Sequence, residues 1–297
     1  MALDILLPFW GDPAMLFAAV KSILRQDSDD WKLTVVDDCY PDETVPAYFA
    51  QLDDPRITYE RNEVNLGITD NYRHCIDLTT QDRVVIMGCD DLMHPNYVST
   101  ILAAHAAFPD VDLIQPGVRV IDEHGHFVTP LTDAVKQHIS RPRTRTRRVL
   151  GGEELAVSLL RGDWLYWPSL AFRRETLLRT DFRDGLPVTQ DLAFILDMVF
   201  AGATLLLEPT VCFSYRRHQA SASSVKLLDG SRFSAEREYF EIAARESGRL
   251  GWRRAARAAR GHIMSRAHAL TLLPVAVKDR RSDAVKVLVG HALRPMR

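Results

Sequence analysis

The chain has 297 residues, 46% of them hydrophobic, and a formal net charge of -2, which gives apolar material for one large or two modest domains and excludes a disordered chain. No apolar run approaches the roughly 20 residues that span a bilayer, and with an apolar strand already at residues 3 to 9 no signal peptide is expected. Four cysteines, Cys39, Cys75, Cys89 and Cys212, form no Cys-x-x-Cys pair, so neither a zinc knuckle nor a disulfide framework is expected and a cytoplasmic setting is.

In chain order, "LDILL" reads as a buried strand. "GDPAMLFAAVKSILRQ" reads as a helix with Asp12 as N-cap and Pro13 at its first position; Met15, Leu16, Ala19, Val20, Ile23 and Leu24 would form its buried face. "KLTVVDD", "RITYERN" and "DRVVIMG" are three further strands, alternating with helix-like segments "TDNYRHCIDL" and "HPNYVSTILAAHAAF". That alternation predicts an α/β fold with a doubly wound, mostly parallel central sheet flanked by helices. From "DLIQPGVRVIDEHGHFVT" onward the pattern changes to short strands with a turn at Asp122 to Gly125, where His124 and His126 are expected to be structural. An exposed loop is expected near 130 to 150, containing "SRPRTRTRR". "GGEELAVSLLRG" reads as a helix, "DWLYWPSLAF" as an aromatic segment and "DLAFILDMVF" as a helix. "TLLLEP" and "VCFSYRRH" read as two short strands. The last 65 or so residues read as helical, with Trp252, Ala256, Ala259, Ile263 and Leu270 on one stripe.

Two acidic pairs close strands: Asp37 with Asp38, and Asp90 with Asp91. Ligands of such sheets bind outside the carboxyl ends of the strands, and adjacent carboxylates repel unless solvent or a cation relieves them. Either pair alone could be a solvated turn; together they point to one crevice. Neither G-x-G-x-x-G nor the P-loop pattern occurs, so a dinucleotide-dependent dehydrogenase or P-loop kinase loses its support. Carboxylates can instead hold Mg²⁺ or Mn²⁺, which bridges to phosphate.

"DILLPFWGD", "LTVVDDCYPD", "NEVNLGITDNY", "VVIMGCDDLMHPNY" and "TQDL", in this order and spacing, resemble the inverting family 2 glycosyltransferases of GT-A fold, over roughly residues 1 to 220. The resemblance implies a nucleotide-sugar-binding half over 1–120, an acceptor-binding half over 121–225 and a basic helical C-terminal extension over 226–297. It implies that Pro8, Asp38, Asn65 and Asp90 bind the nucleotide, usually a uridine nucleotide, and that Asp91 is the metal ligand of the DXD motif, whose usual first aspartate is Gly88 here. Asp191 matches the catalytic base, with Gln190 in place of the common neighbouring glutamate. Asp191 stands at a helix start, where free amides favour its ionised form. His218 would join Asp91 on the metal, Arg216 and Arg217 would pair with phosphate, and Trp164 and Trp167 are either core or an acceptor platform. Asn65 and Gly67 would shape the loop before a helix.

The expected donor is therefore a nucleoside-diphosphate sugar, and the acceptor a glycan or lipid-linked molecule of cell-surface polysaccharide or glycolipid synthesis. Rival readings are a metal-dependent nucleotidyltransferase, which lacks its glycine-rich basic loop here, and a non-catalytic sugar-nucleotide-binding protein, suggested by Gly88 and Gln190. From Arg249 onward about a dozen Lys and Arg face only Asp279 and Asp283. An anionic membrane surface is the expected partner of that extension; no nucleic-acid-reading module accompanies it.

Overall fold

The structure, a computed structural model, describes residues 2–186, 189–217, 231–278 and 281–294. Four strands from the first third of the chain, β1 (Leu3–Phe9), β2 (Trp31–Asp37), β3 (Ile57–Arg61) and β4 (Arg83–Ile86), lie parallel in the order β3-β2-β1-β4. Their connections carry helices α1 (Pro13–Ile23), α2 (Thr44–Ala50) and α3 (Ile68–Asp77). Helix α1 starts as its sequence dictates, with Asp12 Oδ1 accepting from the Ala14 amide at 2.8 Å and Pro13 at a position whose N–H would be unsatisfied anyway.

Beyond β4 the chain adds β5 (Leu92–Met93), α4 (Tyr97–Ala107), β6 (Leu113–Ile121), α5 (Leu131–Val135), a π-helical turn (Lys136–Ser140), β7 (Arg148–Leu150), α6 (Gly152–Arg161), β8 (Ala171–Arg173), α7 (Arg174–Leu178), α8 (Gln190–Phe200) and β9 (Leu205–Arg216). Here the sheet becomes mixed: β8 inserts antiparallel between β4 and β6, β6 runs parallel to β9, and β5 and β7 each pair antiparallel with β9. Leu3, Ile5, Leu7 and Phe9 face one core layer with the buried residues of α1 and α4, while Leu6, Val84 and Ile86 face the other with α3, α6 and α8. Both faces are covered, which is why these strands read as nearly continuous apolar runs.

Three sequence expectations change. The two short strands expected around Pro209 are one strand, β9, whose irregular register opposite Gln115–Val118 absorbs the proline. Gly117 permits this, because a Cβ there would stand 2.8 Å from Thr210 O and 2.9 Å from Pro209 O. The loop expected over 130 to 150 contains α5, the π-helical turn and β7. The C-terminal stripe stops at His262, whose φ of 29° breaks the helix; Ala256 and Ala259 are buried before it, but Ile263 and Leu270 are exposed after it.

The C-terminal helices α9 (Ser231–Arg249), α10 (Arg253–Gly261), α11 (Ile263–Lys278) and α12 (Ser282–Leu293) are no detached tail. Tyr239, Phe240, Ala243 and Ala244 of α9 and Ala255 and Ala259 of α10 share one core with α6 and α8, while Phe233 seeds a smaller cluster with α11 and α12. Among the described residues no helix is long and apolar enough to cross a membrane.

Replacing Gly117 by Ala forces a methyl group into the β9 backbone and should cost on the order of 1–3 kcal/mol, lowering the thermal midpoint by several degrees. Gly248→Ala, where the added methyl meets nothing within 4 Å, should leave the midpoint unchanged or raise it. Equal midpoints for the two variants would contradict the close approach at Gly117.

Candidate active site

The carboxyl ends of β1, β2 and β4 carry the acidic residues. Asp37 is buried and occupied: Oδ1 accepts from the Tyr40 amide at 2.7 Å and Oδ2 from the Tyr59 hydroxyl at 2.5 Å. Asp38 is equally buried, and its carboxylate organises the segment after β3, accepting from Asn62 Nδ2 at 2.9 Å, Leu66 N at 2.7 Å and Gly67 N at 2.9 Å. Asn65, exposed, donates to Asp38 O at 3.1 Å, and Asn62 also donates to Asn71 Oδ1 at 3.0 Å. Cys39, directly after Asp38, has a φ of 60°, an uncommon conformation for a residue with a Cβ and one that gathers at functional sites. Pro8 is half-buried near the end of β1, and Trp10 beyond it is exposed, edge-on to Tyr40 at 5.2 Å. Asp38 thus fixes the course of the 62–67 segment beside the carboxyl end of β2.

The turn after β4 holds the second pair. Asp91 N donates to Gly88 O at 3.2 Å, and β5 pins the far end of the turn to β9. Asp91 has no exposed surface; Oδ1 accepts from the Arg216 amide at 2.7 Å, whereas the buried Oδ2 has no hydrogen-bond partner among the described residues. A Cβ on Gly88 would stand 2.7 Å from that Oδ2 and 2.9 Å from Asp90 Oδ1. Two carboxylate oxygens therefore converge where the family's usual aspartate would begin its side chain. Burial, then the neighbouring charge of Asp90, raises the Asp91 carboxyl well above the ordinary range.

This geometry fits a hard divalent cation. Such ions take one or two carboxylates and complete their shell with phosphate oxygens and water, and the orphaned Oδ2 lacks only a partner of that kind. Among the described residues no cluster of three or more His, Cys, Asp or Glu could hold a metal alone. His218 lies outside the described residues.

Asp191 starts α8, and burial, with a smaller contribution from the Asp163 charge, raises its carboxyl to about 7. The expectation that the helix terminus favours ionisation is outweighed, because desolvation disfavours the charged form more than the end of a helix favours it. Lys136, on the π-helical turn, opposes the rise and lies 4.0 Å from Asp163. Gln190 accepts from Thr69 Oγ1 at 2.8 Å, tying the start of α8 to the loop that Asp38 organises. Burial first, then the charge of Asp191 and more weakly that of Asp90, raises the Tyr72 hydroxyl on α3 well above its ordinary value. Tyr72 and Lys136 escaped notice in the sequence: the first sat inside a quoted motif as a helix residue, the second in a stretch with no periodicity.

Three expectations meet different partners. Arg216 Nε donates to Asp90 O at 2.6 Å and its Nη1 to Asp122 O and Glu123 O at 3.0 Å, so it clamps the acidic turn rather than offering a free fork to phosphate. Arg217 holds Asp133 through Nε at 3.1 Å and Nη2 at 3.0 Å. Trp164 and Trp167 are buried, the latter among Tyr72, Phe172, Phe182 and Phe194; they are core and present no face to an acceptor.

The family model for glycosyl transferase family 2 matches residues 4–179. The chain is 35% identical over 102 residues to the Escherichia coli colanic acid biosynthesis glycosyl transferase WcaA, covering 34% of this chain and 37% of that one. It is 25% identical over 250 residues, 80% of this chain and 73% of the relative, to an uncharacterised Mycobacterium tuberculosis protein. The alignment thus spans little more than a third of WcaA. Among solved structures, S. aureus TarS residues 1-349 superposes with a TM-score of 0.66 at 12% identity, covering 99% of this chain and 81% of that one. A Pyrobaculum calidifontis mannosyltransferase in complex with GDP-Man and Mn²⁺ gives 0.58 at 16% identity, covering 98% and 86%. These likenesses show the GT-A fold.

A carboxyl raised above its unfolded value contributes stability at low pH and loses it as pH rises through the folded value, so at neutral pH the buried Asp91 is a net cost. Asp91→Asn should therefore raise the thermal midpoint of the metal-free protein and erase any Mn²⁺-induced increase. A lowered midpoint with the Mn²⁺ response intact would contradict this assignment.

Proposed function

The chain belongs to glycosyl transferase family 2, and on that premise we propose that it is an inverting, metal-dependent transferase that moves a sugar from a nucleoside-diphosphate donor, most simply a uridine one, to a glycan or lipid-linked acceptor. The observation that carries this reading is the convergence of the Asp90 and Asp91 carboxylate oxygens above Gly88. TarS, similar in fold, is solved in complex with UDP-GlcNAc and with UDP, which supports a uridine donor, and the similarity to the colanic acid biosynthesis transferase WcaA supports polysaccharide synthesis.

Pro8, Asn65 and the loop held by Asp38 receive the nucleoside, and Asp90 its ribose. Asp91, with Asp90 beside it, would hold Mg²⁺ or Mn²⁺, which when bound supplies Lewis-acid stabilisation of the departing diphosphate. Asp191 accepts the proton of the acceptor hydroxyl as that oxygen attacks the anomeric carbon opposite the nucleotide. Its raised carboxyl suits the task, since a general base works best with a value near the operating pH. Arg216 acts indirectly by fixing the Asp90–Asp91 turn. Gly88 and Gln190, which suggested lost catalysis, have positive roles here: one leaves room for the cation, the other latches α8 to the donor loop.

Helix α10 exposes Arg253, Arg254, Arg257 and Arg260, with Leu250 and Ile263 exposed at its two ends. A basic face bracketed by apolar side chains suits peripheral attachment to anionic lipid, which supports a working position at the inner face of the plasma membrane.

Asp191→Asn should keep nucleotide affinity and lower transfer by about 10² or more, the usual worth of a general base. In the wild type, kcat/KM should rise with pH as Asp191 ionises through about 7 and then level, while the variant profile stays flat; unchanged turnover would refute the role. Reversing all four α10 arginines to Glu should abolish flotation with anionic vesicles without changing UDP binding, and equal flotation would defeat the membrane assignment. Substitution is the right comparison because α10 shares the catalytic core.

A further inference from the structure

Among the described residues the far half of β6 has no strand neighbour on its β8 side, since β8 meets β6 only at Leu113 and Ile114. Segment 127–138 covers this edge incompletely, through Val128 N to Val120 O at 3.0 Å and Gln137 Nε2 to Val118 O at 3.2 Å. Between them lies a cavity of about 360 Å³ with apolar walls from Val118, Val120, Phe127, Val128 and Ala134, a volume in the range of small-molecule sites. The cavity wall is tied to the acidic turn through the chain: Asp133 in the wall grips Arg217, and the amide of the preceding Arg216 binds Asp91.

Two observations decide what fills it. The inner polar groups are already engaged, Asp133 with Arg217 and the Tyr166 hydroxyl, and the Gln137 amide nitrogen with Val118 O and Tyr166 Oη; the other polar wall residues, Arg119, Thr129 and His138, are exposed at the rim. A sugar ring pushed inside would bury hydroxyls without partners, a cost that an apolar chain does not carry. The apolar surface also continues outward, with Phe127 63%, Leu131 79% and Ile139 66% exposed, which is unusual for large apolar side chains on one short segment. At the mouth, the Arg119 guanidinium lies 5.0 Å over the Phe127 ring and has no acidic partner among the described residues.

We propose that this cavity seats the apolar chain of an amphiphilic acceptor, with Arg119 meeting its phosphate-type head. The inference deepens the transferase reading, on which it rests, by choosing a lipid-linked acceptor over a free glycan. Charge and apolar contact are then matched side by side, and the acceptor hydroxyl is presented from the Lys136 side of the cleft.

The test is isothermal titration of the full-length protein with decyl phosphate below its aggregation concentration, with inorganic phosphate and UDP titrated in parallel. Decyl phosphate should bind where inorganic phosphate does not. Ala134→Phe, which fills the cavity, and Arg119→Ala, which removes the cation, should each weaken it about tenfold or more, with UDP affinity unchanged. Equal decyl phosphate binding by wild type and both variants, or UDP binding with no decyl phosphate binding, overturns the cavity assignment while the donor site stands. Decyl phosphate binding that both variants weaken, in a protein that binds no UDP, upholds the cavity and overturns the donor reading instead.

Discussion

The structure depends on one buried carboxylate. Asp91 is removed from solvent, one oxygen satisfied by the Arg216 amide and the other by nothing among the described residues. An uncompensated buried charge is expensive, and a fold selected for stability alone would place an apolar or amide side chain there. The cost is tolerable if a cation arrives together with a substrate that brings its own phosphate oxygens. A cation bound there would offset the burial of the Asp91 carboxylate, and the affinities of metal and diphosphate would then be linked.

Most of the surrounding architecture serves to keep that carboxylate in place. Strand β5 has two residues and among the described residues pairs only with β9, yet it fixes the far end of the acidic turn; the Arg216 side chain ties the same turn to the carbonyls of 122 and 123. On the opposite wall Asp38 gathers three donors from the 62–67 segment, and Thr69 passes the constraint to Gln190 beside Asp191. The two halves of the cleft are thus joined through hydrogen bonds that are partly or wholly buried, where they are least exchanged for water. Burial of Asp191 also raises its carboxyl toward neutrality, so the same exclusion of water that makes Asp91 costly makes Asp191 useful.

Much of this was legible in the sequence because it follows local rules. Asp12-Pro13 announced the start of α1, the alternation of apolar strands and amphipathic helices announced a parallel sheet, and aspartates closing β2 and β4 announced a cleft at their carboxyl ends. What was not legible depends on partners distant in the chain. Nothing local shows that Arg216 spends its guanidinium on backbone carbonyls, that Arg217 belongs to Asp133, or that Trp167 fills an aromatic core. The helix-terminus argument at Asp191 had the right sign for one effect and missed a larger one, since desolvation is a property of the packed fold. Likewise the stripe from Trp252 to Leu270 obeyed the helical period on paper, but the single backbone conformation at His262 divides it into two helices facing different ways.

Anomalous diffraction from crystals grown with UDP and Mn²⁺ tests the central assignment most directly. The account requires one manganese peak within coordination distance of the Asp91 carboxylate, in the space above Gly88, with a diphosphate oxygen in the same shell. Density for UDP in the cleft with no metal there, or a metal bound only elsewhere, would contradict it.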